Sequence, residues 1–295
     1  MEKSIVYFTK DISANGLLKI YSAINTELKG KVAVKISTGE PGGHNFLQPS
    51  LIAPLVNHIH GTIVECCTAY NGRRLNPKDH WEAIKEHGFM DIAPCDIMDE
   101  YGEIKIPVTN GKHLKGYNIV GKNIANYSSM LMLSHFKGHP MGGFGGALKN
   151  MSIGVASTAG KAWIHSAGNT TDINKMWDYF GNQTEFLESM AEACESVINY
   201  YGKENMLYIN VANRLSIDCD CSDHPAEPEM ADIGIFASID PVAIDQCCYD
   251  SIINSNDPGK AKLVARMKER NAIHIVEESA RLRLGSRNYE LVNID

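Results

Sequence analysis

Short apolar runs alternate along the chain with longer stretches in which apolar residues recur three and four apart, the two periods of strand and helix. Residues 4–8 (SIVYF) read as a strand, and Leu17, Leu18, Ile20, Tyr21, Ile24 and Leu28 trace one face of a helix behind it. Residues 31–36 read as a buried strand, 51–60 as a helix that starts near Pro54, and 62–65 as the next strand. The continuous run 130–133 (MLML) ends in polar and glycine-rich sequence, as parallel strands do where they deliver residues to a site. Further on, 186–201 is a helix, 206–211 and 233–237 are strands, and 242–253 is a helix capped by Asp240 with Pro241 in its first turn. Two charged helices fill 259–284. This alternation predicts an α/β fold with a mostly parallel sheet and helices on both faces. The 295 residues form one unit, with room for two lobes, 1–167 and 168–295, and a cleft between them.

Composition narrows the function classes. A formal net charge of −7 provides no general basic surface, so nucleic acid is not an expected partner. The N-terminal residues carry only a four-residue apolar run, too short for a secretory core or a membrane span, which predicts a cytoplasmic protein. The eight cysteines are then expected to be thiols or ligands rather than disulfides.

The strongest chemical signal is GHPMGGFGGALKN, residues 138–150. Glycines 142, 143, 145 and 146 would let backbone approach a ligand, and their amides could hold an anion at the start of a helix over 147–151. Lys149 supplies a point charge, or a nucleophilic amine if burial lowers its pKa; the alternative is a glycine-rich turn with a solvated lysine. His135, Lys137, His139 and His165 surround that loop and favour a site. A second signal, DCDCSDHP over 218–225, offers Cys219 and Cys221 as metal ligands whose partners must come from elsewhere in the fold. The alternative makes both cysteines buried small hydrophobes. Thr38 and Gly39 lie in the loop after the second strand, where α/β folds place ligand loops, with a tight turn as the alternative; Arg73 and Arg74, after the third, are able to grip carboxylate or phosphate, with surface arginine as the alternative. No G-x-S-x-G elbow and no H-E-x-x-H occurs.

The segments VAVKISTGEPG, SHFKGHPMGGFGGALKNMSIGVAS, DCDCSDHPAEPEMADIGIFASIDPVAIDQ, NSNDPGK and LGSRNYELVNI resemble, in order and wording, domain-of-unknown-function family 362. Members of that family are commonly described as iron–sulfur centre proteins, because many carry a ferredoxin-like insert with four closely spaced cysteines. Here residues 167–185 hold no cysteine, so the resemblance implies an iron–sulfur cluster only if the DCDC segment serves it.

GFGGALK, followed by IGVAS and His165, is also similar to the central motif of nickel-pincer lactate racemases. That resemblance implies a cofactor-bearing Lys149, an acid/base His139 and a nickel-binding His165. Arg73 stands where those racemases place their second acid/base histidine, so two-base racemisation is not implied. Together these readings predict an enzyme, racemase/isomerase-like or oxidoreductase, acting on a small anionic metabolite. Its metal or organometallic cofactor would sit in a cleft formed by the 138–149 loop, His165, Arg73 and the 37–43 loop. The competing expectation is a noncatalytic or electron-relay partner of a separate ferredoxin-type protein.

Overall fold

The computed structural model describes residues 3–295; Met1 and Glu2, which open the segment read for a leader, lie outside the described residues. The chain begins with β1 (Ser4–Thr9), α1 (Ala14–Ala23), β2 (Val32–Lys35), α2 (Pro49–His58), β3 (Thr62–Glu65), α3 (Pro77–Glu86) and β4 (Cys95–Ile97). A hairpin of β5 (Glu103–Pro107) and β6 (Tyr117–Gly121) precedes β7 (Ser129–His135). A smaller one, β8 (Lys137–His139) with β9 (Gly143–Gly145), leads into α4 (Ala147–Ser152) and α5 (Thr158–His165). The remainder is α6 (Gln183–Tyr201), β10 (Met206–Ala212), β11 (Gly234–Ser238), α7 (Pro241–Ile253), α8 (Ala261–Glu269), α9 (His274–Arg281) and β12 (Tyr289–Asn293).

Eight strands form one sheet in the order β12-β1-β11-β10-β7-β2-β3-β4. Only β11 is reversed, pairing antiparallel with both β1 and β10; every other pair is parallel. The sheet takes strands from both sides of residue 167. Alternation along β7 shows how the two faces are covered. Leu131 and Leu133 join the core under α1, α2 and α3, while Met130 and Met132 join the opposite core with α4, α6 and α7.

The helix ends follow local chemistry. The Asp240 carboxylate accepts the amides of Val242 and Ala243 ahead of Pro241, as the cap-and-proline pair predicts. Ser13, Asn76, Ser157 and Asn182 cap α1, α3, α5 and α6 in the same way. Helix α2 departs from expectation: it starts at Pro49, not near Pro54, and Pro54 lies inside it. The bond Pro54 cannot donate would have gone to the carbonyl of Ser50, an exposed residue whose carbonyl can turn to water.

The chain turns back at the sheet's centre. From β2 it runs outward through β3 to β4, then returns to β7 on the other side of β2. The crevice at the carboxyl ends of β2, β3 and β7 is where such a reversal leaves room for a ligand.

Candidate functional site

Lys35 and Glu65 are the last residues of β2 and β3, both nearly buried, and both face the crevice. The Glu65 carboxylate accepts from the amide and hydroxyl of Thr38 (3.0 Å each), from Nε2 of His80 (2.9 Å) and from Arg74 (3.3 Å); Lys35 stands 3.9 Å away. Burial pushes its carboxyl up, but Arg74, Lys35 and His80 outweigh that and hold it well below the usual range. Arg74 is further tied to Glu40 at 3.0 Å and to the Tyr70 hydroxyl at 2.9 Å. Lys35 donates to the carbonyls of Ile36 and of the Asn150 side chain. This centre is therefore charge-matched within itself.

Above it lies a cavity of about 350 Å³, whose wall includes His139, Lys149, Lys161, His165, Cys219 and Cys221. Met176 and Trp177 also line it. Lys161 donates to the carbonyl of Ala156 and makes no ion pair with a carboxylate among the described residues. The Lys149 amine has neither a hydrogen bond nor an ion pair among them. Burial, then the charges of Lys137 and Lys35, bring its pKa down to about 7, so a large share of it is neutral near physiological pH.

The two histidines are held oppositely. Nδ1 of His139 accepts the amides of Gly142 (2.9 Å) and Met141 (3.2 Å), which leaves the ring proton of the neutral form on Nε2. Nδ1 of His165 instead donates to the carbonyl of Lys161 at 2.7 Å, leaving the Nε2 lone pair free. The His165 ring stacks on Phe186 and meets Trp177 edge-on. Burial drives His165 down to about 4 and His139 well below its ordinary value, with Lys149 adding repulsion in both cases.

The CxC segment is pinned at its middle residue. Asp220 is buried between His135 (2.8 Å) and Lys137 (3.1 Å), which hold its carboxyl below the usual range despite burial. On either side of it, Cys219 and Cys221 are joined as a disulfide, against the expectation of thiols or ligands, and the other six cysteines are free. A ring nitrogen of His139 lies within 4.8 Å of both sulfurs.

The sequence model described as domain of unknown function (DUF362) matches residues 32–250. The chain belongs to this family. The matched stretch runs from the first residue of β2 into α7 and contains every residue of the cavity wall. No curated protein matches. Solved structures similar to this DUF362 chain include the lactate racemase apoprotein from Thermoanaerobacterium thermosaccharolyticum, at 14% identity and a TM-score of 0.44, covering 83% of this chain and 57% of that one. Another is a protein from Thermotoga maritima, at 9% identity and a TM-score of 0.42, covering 91% of this chain and 58% of that one. The chain thus spans less than two thirds of the length of either.

Several DUF362 residues singled out from sequence converge on the cavity: His139, Lys149, His165, Cys219 and Cys221 all line it. Arg73 does not. Its guanidinium is exposed and bonded to Glu86 at 2.6 and 2.7 Å, while its neighbour Arg74 reaches inward. Thr38 and Gly39 do not line the cavity, and Thr38 is occupied with Glu65.

The glycines shape the loop instead of lining the cavity. Gly142 orients His139, Gly143 has φ +79° beside Ala272, and Gly145 pairs with Lys137 across the β8–β9 hairpin. Gly146 lets the Asp245 carboxylate approach so closely that a Cβ there would lie 2.5 Å from it. That carboxylate accepts the amides of Ala147 (2.8 Å) and Leu148 (2.9 Å). The amides expected to hold a bound anion are thus filled by the protein's own acid.

Lys35, Glu65 and Lys161 escaped the sequence reading. The first two were legible as charged residues closing otherwise apolar strands, VAVK and TIVE. No helix of the described residues is long and apolar enough to cross a membrane.

Proposed function

We propose that the cavity is the active site of an enzyme, isomerase-like or oxidoreductase, acting on a small anionic metabolite with the help of a metal or organometallic cofactor. One observation carries this reading: Lys149 and Lys161 face the cavity without carboxylate partners, whereas the cations beneath them are matched by Glu65 and Glu40. The uncompensated charge favours an anion, and a cavity of about 350 Å³ suits a metabolite rather than a polymer.

The donor set also fits a covalently anchored metal-binding group. Lys149 offers a partly neutral amine and His165 a free Nε2, its other nitrogen held by a backbone carbonyl as is usual for ligating histidines. When bound, such a group supplies an electrophilic acceptor for an electron pair. The chain's own residues do the rest. Lys161 balances the charge of the anion, the Nε2 proton of His139 is available to a substrate oxygen, and Met176 with Trp177 restricts water. An iron–sulfur cluster fits less well: two cysteine sulfurs joined to each other and one imidazole fall short of four ligands.

A docking partner for a ferredoxin would favour an exposed patch near residues 160–185, and Trp177 and Tyr179 are half-exposed there. Trp177 already has a role in the cavity wall, however, which favours the enzyme reading. The test is calorimetric titration with lactate, malate and phosphate, joined to intact mass and metal analysis of anaerobically purified protein. Binding of one anion that is lost in Lys161→Gln, and nickel with an adduct on Lys149, are expected. No anion binding together with an unmodified Lys149 would sink the proposal.

A further inference from the structure

We propose that Cys219 and Cys221 form a reversible dithiol–disulfide couple in the cavity wall, exchanging with small thiols that carry carboxylate groups. Both cysteines line the cavity, and Cys221 is the more exposed, Cys219 being only 3% accessible. An incoming thiolate therefore meets Sγ of Cys221, and Cys219 is the leaving sulfur.

One donor is in place for the charge that then appears on Cys219, and an imidazole stands nearby. The amide of Cys221 lies 3.1 Å from its sulfur, and a ring nitrogen of His139 lies within 4.8 Å of both sulfurs. Because Nδ1 of His139 accepts two amides, the proton on Nε2 is free to donate. Hydrogen bonds to the departing thiolate speed exchange. A donor imidazole also fits a thiolate better than it fits a metal ion, which needs the lone pair. Asp220, fixed by His135 and Lys137 between the two cysteines, keeps the segment in place while the bond is open. Cys66 also lines the cavity, but its thiol donates to the carbonyl of Val155 and burial holds it protonated.

The steps balance. A first thiolate attacks Sγ of Cys221, the bond between Cys219 and Cys221 breaks, and Cys219 leaves as a thiolate. A second thiolate attacks the external sulfur of the mixed disulfide and releases Cys221 as a thiolate. Two small thiols are oxidised to their disulfide, the protein disulfide is reduced to two thiols, and two protons pass from the first to the second. The preference for anionic thiols rests on the anion-binding reading of Lys149 and Lys161; the couple itself does not.

The experiment treats the native protein at low ionic strength with mercaptosuccinate or cysteamine at equal thiolate concentration, followed by alkylation and peptide mass analysis. Labels on Cys219 and Cys221 are expected without denaturant, appearing about tenfold faster with mercaptosuccinate, the low end of electrostatic focusing by a charged cleft. Treated instead with the disulfide of mercaptosuccinate, Cys219→Ser should trap a mercaptosuccinyl adduct on Cys221 and release one mercaptosuccinate, while Cys221→Ser should trap none. Reaction only in denaturant would overturn the couple. So would one zinc ion per chain, bound by the reduced protein and blocking alkylation, which makes the pair a metal site. Equal rates for the two thiols would overturn the substrate class. Malate binding without exchange would remove this inference and leave the proposed function standing, whereas charge-blind exchange without malate binding would remove the anion reading on which the substrate class depends.

Discussion

His139 and His165 face one cavity with opposite ring nitrogens committed: Nδ1 of His139 accepts from Gly142 and Met141, and Nδ1 of His165 donates to Lys161. One ring therefore presents a proton and the other a lone pair. Nitrogen-15 spectra of the histidine rings should show the Nε2–H tautomer for His139 and the Nδ1–H tautomer for His165. Burial lowers both, so neither should titrate between pH 8 and 6, and His165 should protonate only near pH 4. Unfolded histidine takes its proton near pH 6.5, so this pair withdraws stability as the pH falls below that value. A His165 that titrates near 6.5 would contradict the arrangement.

Lys149 gives a counterintuitive stability prediction. Its folded pKa is about 7 and its ordinary value 10.5, so between those limits the unfolded chain holds a proton that the folded lysine lacks. Stability then climbs with pH by up to about 1.4 kcal/mol per unit from this group, and below pH 7 the full cost of a buried charge persists. Lys149→Met should stabilise the protein at pH 7, with the gain shrinking towards pH 10. Urea denaturation at pH 7 and 9.5 compares the two; a variant less stable than wild type at pH 7 would refute it.

Glu65 should be far less replaceable. Glu65→Gln leaves Lys35, Arg74 and His80 around a neutral group, and breaking a buried pair this way costs roughly 3–5 kcal/mol. Chemical denaturation should show that loss, and a shift within error would mean the centre is held by other contacts.

The neighbouring arginines should separate cleanly. Arg73→Ala removes an exposed pair with Glu86 and should leave both stability and anion binding unchanged. Arg74→Ala strips Glu40 and Glu65 of their shared partner and should abolish binding and lower the melting temperature by several degrees. Equal effects from both would show that Arg73 reaches the cavity in solution.

What the sequence revealed depended on whether the signal was local. The cap Asp240 with Pro241, the buried run of β7 and the helices of the last third were all legible, because each element's pattern lies within its own residues. The short strands β4 to β6 and the edge strand β12 were missed, since their apolar content is slight and their pairing comes from elsewhere in the chain. Much the same division runs through the site. His139, Lys149 and His165 are carried by one motif, but choosing Arg74 over Arg73 needed Glu40 and Glu65, more than thirty and nine positions away respectively. Nothing local to Cys219 and Cys221 distinguished a ligand pair from a disulfide.

The acid that closes the start of α4 arrives late. Asp245 stands 98 residues after Ala147, on a helix that must dock before the glycine-rich loop can settle. During synthesis β2, β3, β4 and β7 can pair while the amides of Ala147 and Leu148 still face water, and Lys149 acquires its final surroundings only once α7 has emerged. The reactive half of the cavity is thus finished by the distal half of the chain, and an incompletely made molecule can own the β7-β2-β3-β4 part of the sheet without owning the site.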